Sequence, residues 1–341
     1  MFLGLCPVRI SFAGGGSDLP EYFNKYGGAV ISTTINQFTY VVIQPRLDNS
    51  FQAFSPDFQK HYKPTKFEKI EIQDGTEIAS SVTKYLNFKK GVNIMLFSDV
   101  PAGSGLGASS SLTVNLVNSL TKLNNLNWSP RKIAETAFDI ERKVLKWAMG
   151  IQDEYIASFG GLNYFQFSEK KIKVTPVAIN SSSKKELQEN LLLFFVGKTR
   201  KSSKILNNQL MRVKKNNPQT INALHIVKDL AYEIYSSLKN NDIEKFGELL
   251  DKGWNAKKNI AKGVSNTKID KIYDAAIKYG AKGGKLTGAG GGGHMLLYCP
   301  HTKQKTLIQK MQKHGLTHIP FKFFDDGPKI LTMNELISSG R

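Results

Sequence analysis

The chain has 341 residues, of which 40% are hydrophobic and 10% aromatic, so we expect a globular protein with one large core or two ordinary ones. No apolar run approaches the ~20 residues needed to cross a bilayer, and the start, MFLGLCPVRI, lacks the basic and long apolar segments of a signal peptide. The two cysteines, Cys6 and Cys299, form neither a CxxC pair nor a disulfide framework. These features predict a cytoplasmic protein that does not cross a membrane.

The net charge is unusual, because 47 basic residues against 28 acidic ones leave +19. Such a charge attracts polyanions, whether nucleic acid, anionic lipid or phosphorylated metabolites. The alternative is a solvated lysine-rich surface without a dedicated partner. No helix-turn-helix, zinc finger or aromatic-basic ribonucleoprotein motif is present, so nucleic-acid recognition is not expected.

The first half of the chain alternates between strand and helix patterns up to about residue 175. VVIQP and VNIMLFSD predict strands, and helices are predicted near 111–123 and 130–149. INSSSKKELQEN resembles a linker, which places a domain boundary near 175–190. We therefore predict an N-terminal domain over 1–178 and a C-terminal domain over 179–341.

The second half begins with a buried-strand pattern, LLLFFVG, and continues with long helical stretches at about 202–215 and 218–261, separated at Pro218. The strand HMLLYCP, a helix over 302–314 and a last strand region at IPFKFF follow. This order predicts a second α/β unit.

The first of three glycine-rich loops follows an apolar strand in PVRISFAGGGSDLP, residues 7–20. Gly14, Gly15 and Gly16 let the backbone approach a ligand closely, and Ser17 and Asp18 stand at the exit. A tight turn capped by Asp18 is the alternative. Arg9 stands inside the apolar strand, and a buried arginine must face an anion or a carboxylate because it cannot lose its charge.

The second loop, PAGSGLGASSSL, lies between the strand VNIMLF and a helix that begins near Ser111. Free N–H groups and the positive end of the helix dipole there form a cradle for an anion. The loop lacks the Gly-Lys-Ser/Thr end of a Walker A motif and the full dinucleotide fingerprint. Its serines can cap the helix, coordinate a metal or both, and a merely flexible turn is the alternative. A third loop, GGKLTGAGGGGHMLLY, covers residues 283–298 and again leads into a strand.

Two carboxylates are candidates for chemistry. Glu141 falls on the apolar stripe of the helix that contains Ala134, Ala137 and Val144, and an inward carboxylate needs a cation or hydrogen-bond donors. Asp153 follows Gly150, on a separate element. The alternative for Asp153 is a helix cap.

Together, these segments resemble the three signature motifs of the GHMP kinases, in the same order and over essentially the whole chain. The resemblance implies an α+β fold, with a left-handed β-α-β unit in the N-terminal domain and a ferredoxin-like C-terminal domain. It also implies ATP and Mg²⁺ as cofactors, with Ser109 and Glu141 as metal ligands, Asp153 as the catalytic base and Arg9 beside it. The residues implied for ATP binding are Pro101, Gly103, Ser104, Gly105, Leu106, Gly107, Ala108, Ser109, Ser110 and Ser111.

RISFAGGGSDLP, GIQDEYIASFGGLNYFQF and KLTGAGGGGHMLLY are similar to the D-glycero-D-manno-heptose 7-phosphate kinases, and L-fucokinase domains share much of this pattern. Galactokinases carry Gly-Glu-His-Thr-Asp where this chain has GGGSD, which argues against galactose. The resemblance implies phosphorylation of the anomeric hydroxyl of a sugar phosphate, or of a neutral sugar in the alternative. The residues implied for substrate binding are Gly15, Gly16, Ser17, Asp18, Arg200, Gly288 and Gly290.

The segment 198–204, KTRKSSK, contains Arg200 and is a candidate clamp for the sugar's phosphate, because guanidinium binds phosphate through two parallel hydrogen bonds. Its alternative is a solvated basic loop. A basic nucleic-acid-binding protein would leave Glu141 and Asp153 unexplained, and a non-catalytic ligand sensor would not need both. We expect a small-molecule partner, no nucleic acid and no membrane, and possible assembly as a homodimer.

Overall fold

Two β-sheets form the framework of the chain in the computed structural model, which describes residues 1–197, 202–332, 334, 335 and 338. In this part of the chain the strands are β1 (Phe2–Ala13), β2 (Gly28–Pro45), β3 (Phe51–Ser55), β4 (Lys60–Thr65), β5 (Val92–Ser98), β6 (Leu162–Phe167), β7 (Ile172–Pro176), β8 (Leu191–Gly197), β9 (Gly283–Leu286), β10 (Gly293–Tyr298), β11 (Thr317–Ile319) and β12 (Lys329–Thr332).

The α-helices are α1 (Pro20–Tyr26), α2 (Glu77–Tyr85), α3 (Ala108–Leu123), α4 (Pro130–Asp139), α5 (Gln152–Phe159), α6 (Ser181–Glu189), α7 (Ser202–Lys214), α8 (Pro218–Lys239), α9 (Phe246–Lys257), α10 (Thr267–Lys278) and α11 (His301–Lys313). Short 3₁₀ turns cover Pro56–Phe58 and Phe67–Lys69, and a π-helical turn covers Ile140–Val144. None of the helices in the described ranges combines the length and the apolar character needed to cross a bilayer.

The larger sheet has the strand order β12–β1–β2–β5–β3–β4. The first part of β2 pairs with β6, which continues to β7, and its last part pairs with β5. The pairing of β3 with β5 is parallel, whereas the other pairings in this sheet are antiparallel. The long pairing of β1 with β2 fixes the strand that carries Arg9, which lies opposite Thr34 of β2.

The smaller sheet is antiparallel, with the order β11–β8–β10–β9, and α9 packs against β9. One hydrophobic cluster joins Ile10 and Phe12 of β1 to Leu230 of α8, Phe246 of α9 and Leu296 of β10. The two sheets and their helices therefore share buried apolar surface, and the fold is mixed α/β, as predicted.

The predicted boundary between residues 178 and 179 falls between β7 and α6 and stays a prediction. The end of the chain returns to the first sheet, because β12 pairs antiparallel with β1. Almost at the chain's end, Leu331 lies opposite Leu3 in this pairing. Residues 1–178 therefore do not form the whole of the larger sheet.

The predicted linker INSSSKKELQEN was wrong, because residues 181–189 form α6. Asn180 caps this helix by accepting a hydrogen bond from the N–H of Ser183, and Leu187 is buried. An Asn cap is a strong helix start, and it outweighed the polar composition that suggested a loop.

Three other predicted elements differ in their bounds. The helix predicted over 218–261 is two helices, α8 and α9, with Asn241 at a φ of 59° between them. The helix predicted over 130–149 leaves α-helical geometry at Ile140, where a π-helical turn begins. IPFKFF is not a continuous strand: β11 ends at Ile319, and Phe323 makes an isolated bridge to Ile35.

Candidate active site

A cavity of about 640 Å³ lies where the three glycine-rich loops meet. Its wall also includes side chains from α7, the end of α9 and the segment just before α5. The loops are far apart in the sequence, and only the packing of the two sheets brings them together. A concave site of this size with several convergent polar groups is suited to small ligands.

Arg9 and Asp153 form an ion pair at the centre of this cavity. Nε and Nη2 of Arg9 donate to the two carboxylate oxygens of Asp153 at 2.7 and 2.5 Å, and Nη1 donates to the carbonyl of Gly105 at 2.6 Å. The two side chains are 5% and 19% exposed. This paired geometry fixes the orientation of the carboxylate, with β1 holding the arginine and the first turn of α5 the aspartate.

The second glycine loop covers this ion pair. Gly107 has a φ of 75°, and a Cβ atom there would lie 3.2 Å from Oδ2 of Asp153. Glycine is therefore required on two grounds, the left-handed backbone and the close approach to the carboxylate. The loop leads directly into α3 at Ala108, so the free N–H groups of the first helical turn point towards the cavity beside Asp153.

The structure divides the predicted ATP-binding residues into two groups. Leu106 is buried in the core, and the hydroxyl of Ser111 donates to the carbonyl of Pro7. Neither of these two residues lines the cavity, and the same holds for Pro101. The residues that do line it are Gly103, Ser104, Gly105, Gly107, Ala108, Ser109 and Ser110.

The third glycine loop packs directly on the second. A Cβ atom on Gly288, whose φ is 60°, would lie 2.5 Å from Cα of Gly105. The main chain also joins the two loops, since the N–H of His294 donates to the carbonyl of Ser104. Gly288 and Gly290 both line the cavity, as their predicted contact with a ligand requires.

Two buried glutamates lie behind the start of α3. Glu141 accepts hydrogen bonds from the hydroxyls of Ser110, at 2.9 Å, and Thr113, at 2.6 Å. Burial raises the pKa of Glu141, and burial together with the Glu141 carboxylate raises the pKa of Glu154 well above its ordinary value. A hydrogen bond between the two carboxyl groups acts to lower the pKa of Glu141 and to raise that of Glu154, so Glu154 is the one that keeps the proton.

The predicted metal ligands, Ser109 and Glu141, lie on different sides of the first turn of α3. The side chain of Ser109 is exposed and lines the cavity, whereas the neighbouring Ser110 makes the hydrogen bond to Glu141. The π-helical turn at Ile140–Val144 places Glu141 inward, and such turns are frequent at functional sites. The sequence indicated neither Ser110 as a partner nor Glu154, whose only signal was its position next to Asp153.

The donor set at this position fits Mg²⁺. It consists of hydroxyl and carboxylate oxygens, which are the ligands that Mg²⁺ prefers. No group of three or more acidic, histidine or cysteine side chains that would hold an ion by themselves occurs in the described part of the chain. That observation is compatible with Mg²⁺, which usually keeps several waters and takes substrate phosphates as ligands.

Asp18 also lines the cavity. Its carboxylate accepts hydrogen bonds from the N–H of Gly16, at 2.7 Å, and of Gln152, at 3.2 Å. Burial raises its pKa to about 6, against the lowering effect of the Gly16 hydrogen bond. The neighbouring Ser17 does not line the cavity, because its hydroxyl donates to the carbonyl of Ala29.

Three polar side chains near Asp18 have buried atoms without a hydrogen-bond partner among the described residues: Oγ of Ser11, Oε1 of Gln152 and Nε2 of Gln209. All three residues line the cavity, together with Gly15 and Gly16. Buried polar atoms are rarely left unpaired, so this wall is suited to a ligand that carries hydroxyl groups. The predicted phosphate clamp at Arg200 lies outside the described residues.

Comparisons with known proteins agree with this geometry. The GHMP kinases N-terminal domain matches residues 76–161, and the GHMP kinases C-terminal domain matches residues 234–316. The D-glycero-alpha-D-manno-heptose 7-phosphate kinase of Campylobacter jejuni is 32% identical over 95% of this chain and 96% of its own length. The bifunctional fucokinase/GDP-fucose pyrophosphorylase of Arabidopsis thaliana is 26% identical over 91% of this chain, which spans 31% of that protein.

Solved structures show the same fold over the whole chain. A D-glycero-D-manno-heptose 1-phosphate kinase from Bacteroides thetaiotaomicron superposes with a TM-score of 0.82 at 26% identity, covering 98% of this chain and 99% of its own. A putative sugar kinase from Campylobacter jejuni superposes with a TM-score of 0.79 at 30% identity, covering 97% and 98%. With its glycine loops, its ion pair and these relatives, the chain belongs to the GHMP kinases and is an ATP-dependent sugar kinase.

Proposed function

We propose that this kinase transfers the γ-phosphoryl group of ATP to the anomeric hydroxyl of D-glycero-D-manno-heptose 7-phosphate and so forms the 1,7-bisphosphate. The observation that carries the proposal is the Arg9–Asp153 pair in the wall of the cavity. Gly107, just before α3, closely approaches Asp153, and the N–H of the adjacent Gln152 donates to Asp18. The similarity to a heptose 7-phosphate kinase supports the choice of sugar. The product would serve the synthesis of a nucleotide-activated heptose for surface polysaccharide, in the cytoplasm.

Asp153 is the proposed general base. As the anomeric oxygen bonds to the γ-phosphorus, the bond from that phosphorus to the β–γ bridging oxygen breaks, and ADP leaves with the electron pair. The proton of the hydroxyl moves to a carboxylate oxygen of Asp153. Arg9 orients this carboxylate and favours its ionised form through the two hydrogen bonds that it donates.

The loop from Gly103 to Ser109 is the proposed holder of the nucleotide phosphates. Phosphoryl transfer needs mainly positioning and neutralisation of charge, which free N–H groups at a helix start provide. Mg²⁺ would be held by Glu141 and the serine hydroxyls at the start of α3, and it would neutralise charge on the phosphates when bound. The buried carboxylate and its two hydroxyl neighbours support this assignment.

The wall around Asp18 is the proposed sugar site. An ionised Asp18 accepts hydrogen bonds from sugar hydroxyls, and the unpartnered atoms of Ser11, Gln152 and Gln209 supply further donors and acceptors. A site whose buried polar groups need ligand hydroxyls discriminates strongly against molecules that lack them. This wall therefore favours a sugar over a less hydroxylated alcohol such as mevalonate.

A neutral-sugar 1-kinase is the second candidate, because fucokinases are also similar over about nine tenths of this chain. An assay of ATP-dependent turnover with heptose 7-phosphate, unphosphorylated heptose, L-fucose, galactose and mevalonate separates the two. We expect the highest kcat/KM with heptose 7-phosphate and a product with phosphate on the anomeric carbon by NMR. Equal or better turnover of a neutral sugar would contradict the proposed substrate.

A further inference from the structure

Two buried lysines line the cavity, and the proposed mechanism gives neither of them a task. Lys257, at the end of α9, is 8% exposed, and Lys285, in β9, is 6% exposed. Nothing in the sequence singles them out among the many lysines of the chain. Lysine is almost never buried unless its charge is paired, so this position needs an explanation.

Each ammonium group is held by backbone carbonyls alone. Nζ of Lys257 donates to the carbonyls of Leu286, at 3.0 Å, and Gly288, at 2.5 Å, and Nζ of Lys285 donates to those of Ser11, at 2.8 Å, and Phe12, at 3.0 Å. In its protonated form each lysine has three donors, so one N–H of each remains for an anion, whose charge in turn favours the protonated form.

No acidic side chain compensates these charges. Among the ion pairs found in the described residues, none includes Lys257 or Lys285. Burial, followed by the charge of Arg9, lowers the pKa of Lys257 to about 7. Burial and the charges of Lys257 and Arg9 lower the pKa of Lys285 well below its ordinary value. Arg9 is the third cation of this group, and its carboxylate partner among the described residues is Asp153.

The positions of the lysines indicate what kind of anion would bind. Lys257 holds Gly288 of the third loop, which packs on Gly105 of the phosphate cradle. Lys285 holds the end of β1 just before the loop that leads to Asp18. The cations therefore stand between the proposed nucleotide site and the proposed sugar site, where a phosphoryl group is the anion that the reaction supplies.

We propose that Lys257 and Lys285 together form a binding site for a phosphoryl group, separate from the N–H cradle of residues 103–109. The group is either the γ-phosphoryl group of ATP or the phosphate carried by the sugar. The second source rests on the proposed function, whereas the first requires only that the protein is an ATP-dependent kinase.

The test compares ligands that differ by one phosphoryl group. Affinities for Mg-ATP and Mg-ADP, and for heptose 7-phosphate and unphosphorylated heptose, are measured by calorimetry on Lys257→Met and Lys285→Met. Lys252→Met is the matched control, because Lys252 is exposed on the same helix as Lys257. A preference here is the ratio of the two affinities within one ligand pair, ATP over ADP or phosphorylated over unphosphorylated heptose. We expect one of these ratios to fall by about 10–100-fold in the lysine variants, as for loss of a hydrogen bond to a charged group. The control should keep both preferences within about twofold.

The two arms separate the sources of the phosphoryl group. Loss of the preference for ATP over ADP assigns the lysines to the nucleotide, and loss of the preference for the phosphorylated sugar assigns them to the sugar. Unchanged preferences in both variants, even with lower affinity for all four ligands, would overturn the proposal and leave the lysines a structural task. A wild type that binds both heptoses equally contradicts the proposed substrate only, and the nucleotide arm still tests the lysines.

Loss of the carbonyl contacts is controlled separately. Lys257→Gln and Lys285→Gln remove the charge but keep an N–H donor for the carbonyls, and they are measured with the same four ligands. If the Met variants do not fold, the Gln variants decide: loss of one preference supports the phosphoryl site, and folded Gln variants that keep both preferences assign the lysines to holding the loops and overturn the proposal.

Discussion

The Arg9–Asp153 ion pair and the Glu141–Glu154 pair of carboxyl groups have opposite electrostatics. Asp153 is held by Arg9 through two hydrogen bonds, so its charge is compensated inside the protein. Glu141 and Glu154 are both buried, burial raises the pKa of each, and Glu141 raises the pKa of Glu154 further. No lysine or arginine in the described residues forms an ion pair with either.

This difference in charge compensation suits Asp153 and the Glu141–Glu154 pair to different tasks. A compensated carboxylate has its orientation and its charge before a ligand arrives, which suits a group that must accept a proton. An uncompensated pair keeps a proton or takes up a cation, which suits a site that receives a metal with its nucleotide. If this distinction is right, the following substitutions should affect different properties.

The largest effect is expected for Asp153→Asn, which removes the base and keeps the size of the side chain. It should lower kcat by about 10²–10⁴, the usual contribution of general acid–base catalysis, and leave the affinity for ATP nearly unchanged. Steady-state kinetics and nucleotide binding by calorimetry measure the two quantities. Normal turnover would show that Asp153 is not the base.

Glu141→Gln should act on the metal instead. We expect the Mg²⁺ concentration for half-maximal activity to rise at least 10–100-fold, the range known for loss of an outer-shell partner. The free energy of unfolding should change much less, because the amide still accepts from Ser110 or Thr113. A variant that unfolds with ordinary Mg²⁺ dependence would make Glu141 a structural residue.

Glu154→Gln should stabilise the protein by about 1–3 kcal/mol at neutral pH without Mg²⁺, since it removes a buried acid whose ionised form is disfavoured by burial and by the Glu141 charge. The folded state raises the pKa of Glu154, so wild-type stability is present below the ordinary glutamate pKa and declines as the pH rises above it. Chemical denaturation at pH 4 and pH 8 should show the gain at pH 8 only. An equal gain at both pH values would contradict a role for the charge.

Asp18 is intermediate between the compensated Asp153 and the uncompensated Glu141–Glu154 pair. Its buried carboxylate accepts hydrogen bonds from backbone N–H groups, and its pKa is about 6. Its ionised form is the proposed acceptor for sugar hydroxyls, so kcat/KM for the sugar should rise up to about tenfold per pH unit below that pKa and level off above it. Asp18→Asn should lack this inflection, and the affinity for ATP measured in parallel should stay unchanged. An inflection that persists in the variant would assign it to another group.

Much of this site was predictable from the sequence, because its parts are local. Glycine runs at the ends of apolar strands predicted three loops that approach a ligand, and the structure brings all three to one cavity. An arginine inside an apolar strand implied either an anion or a carboxylate as its partner, and the family resemblance pointed to Asp153. The structure confirms that contact. These features are visible in the sequence because left-handed backbone conformations restrict the loop positions to glycine and a buried charge restricts which partners can surround it.

The remainder was missed for two reasons, local signals that were outweighed and packing between distant segments. Asn180 is a local helix start that the polar composition around it outweighed, and a continuous helical pattern, which already placed Glu141 inward, concealed the π-helical turn after Asp139. Lys257 and Lys285 read as ordinary surface lysines, and only the contact of α9 and β9 with the glycine loops buries them. The sequence alone thus determined the chemistry of the loops and the need for a partner to Arg9. The tertiary structure decided which charges stay uncompensated, because burial is set by whatever the fold places around each side chain.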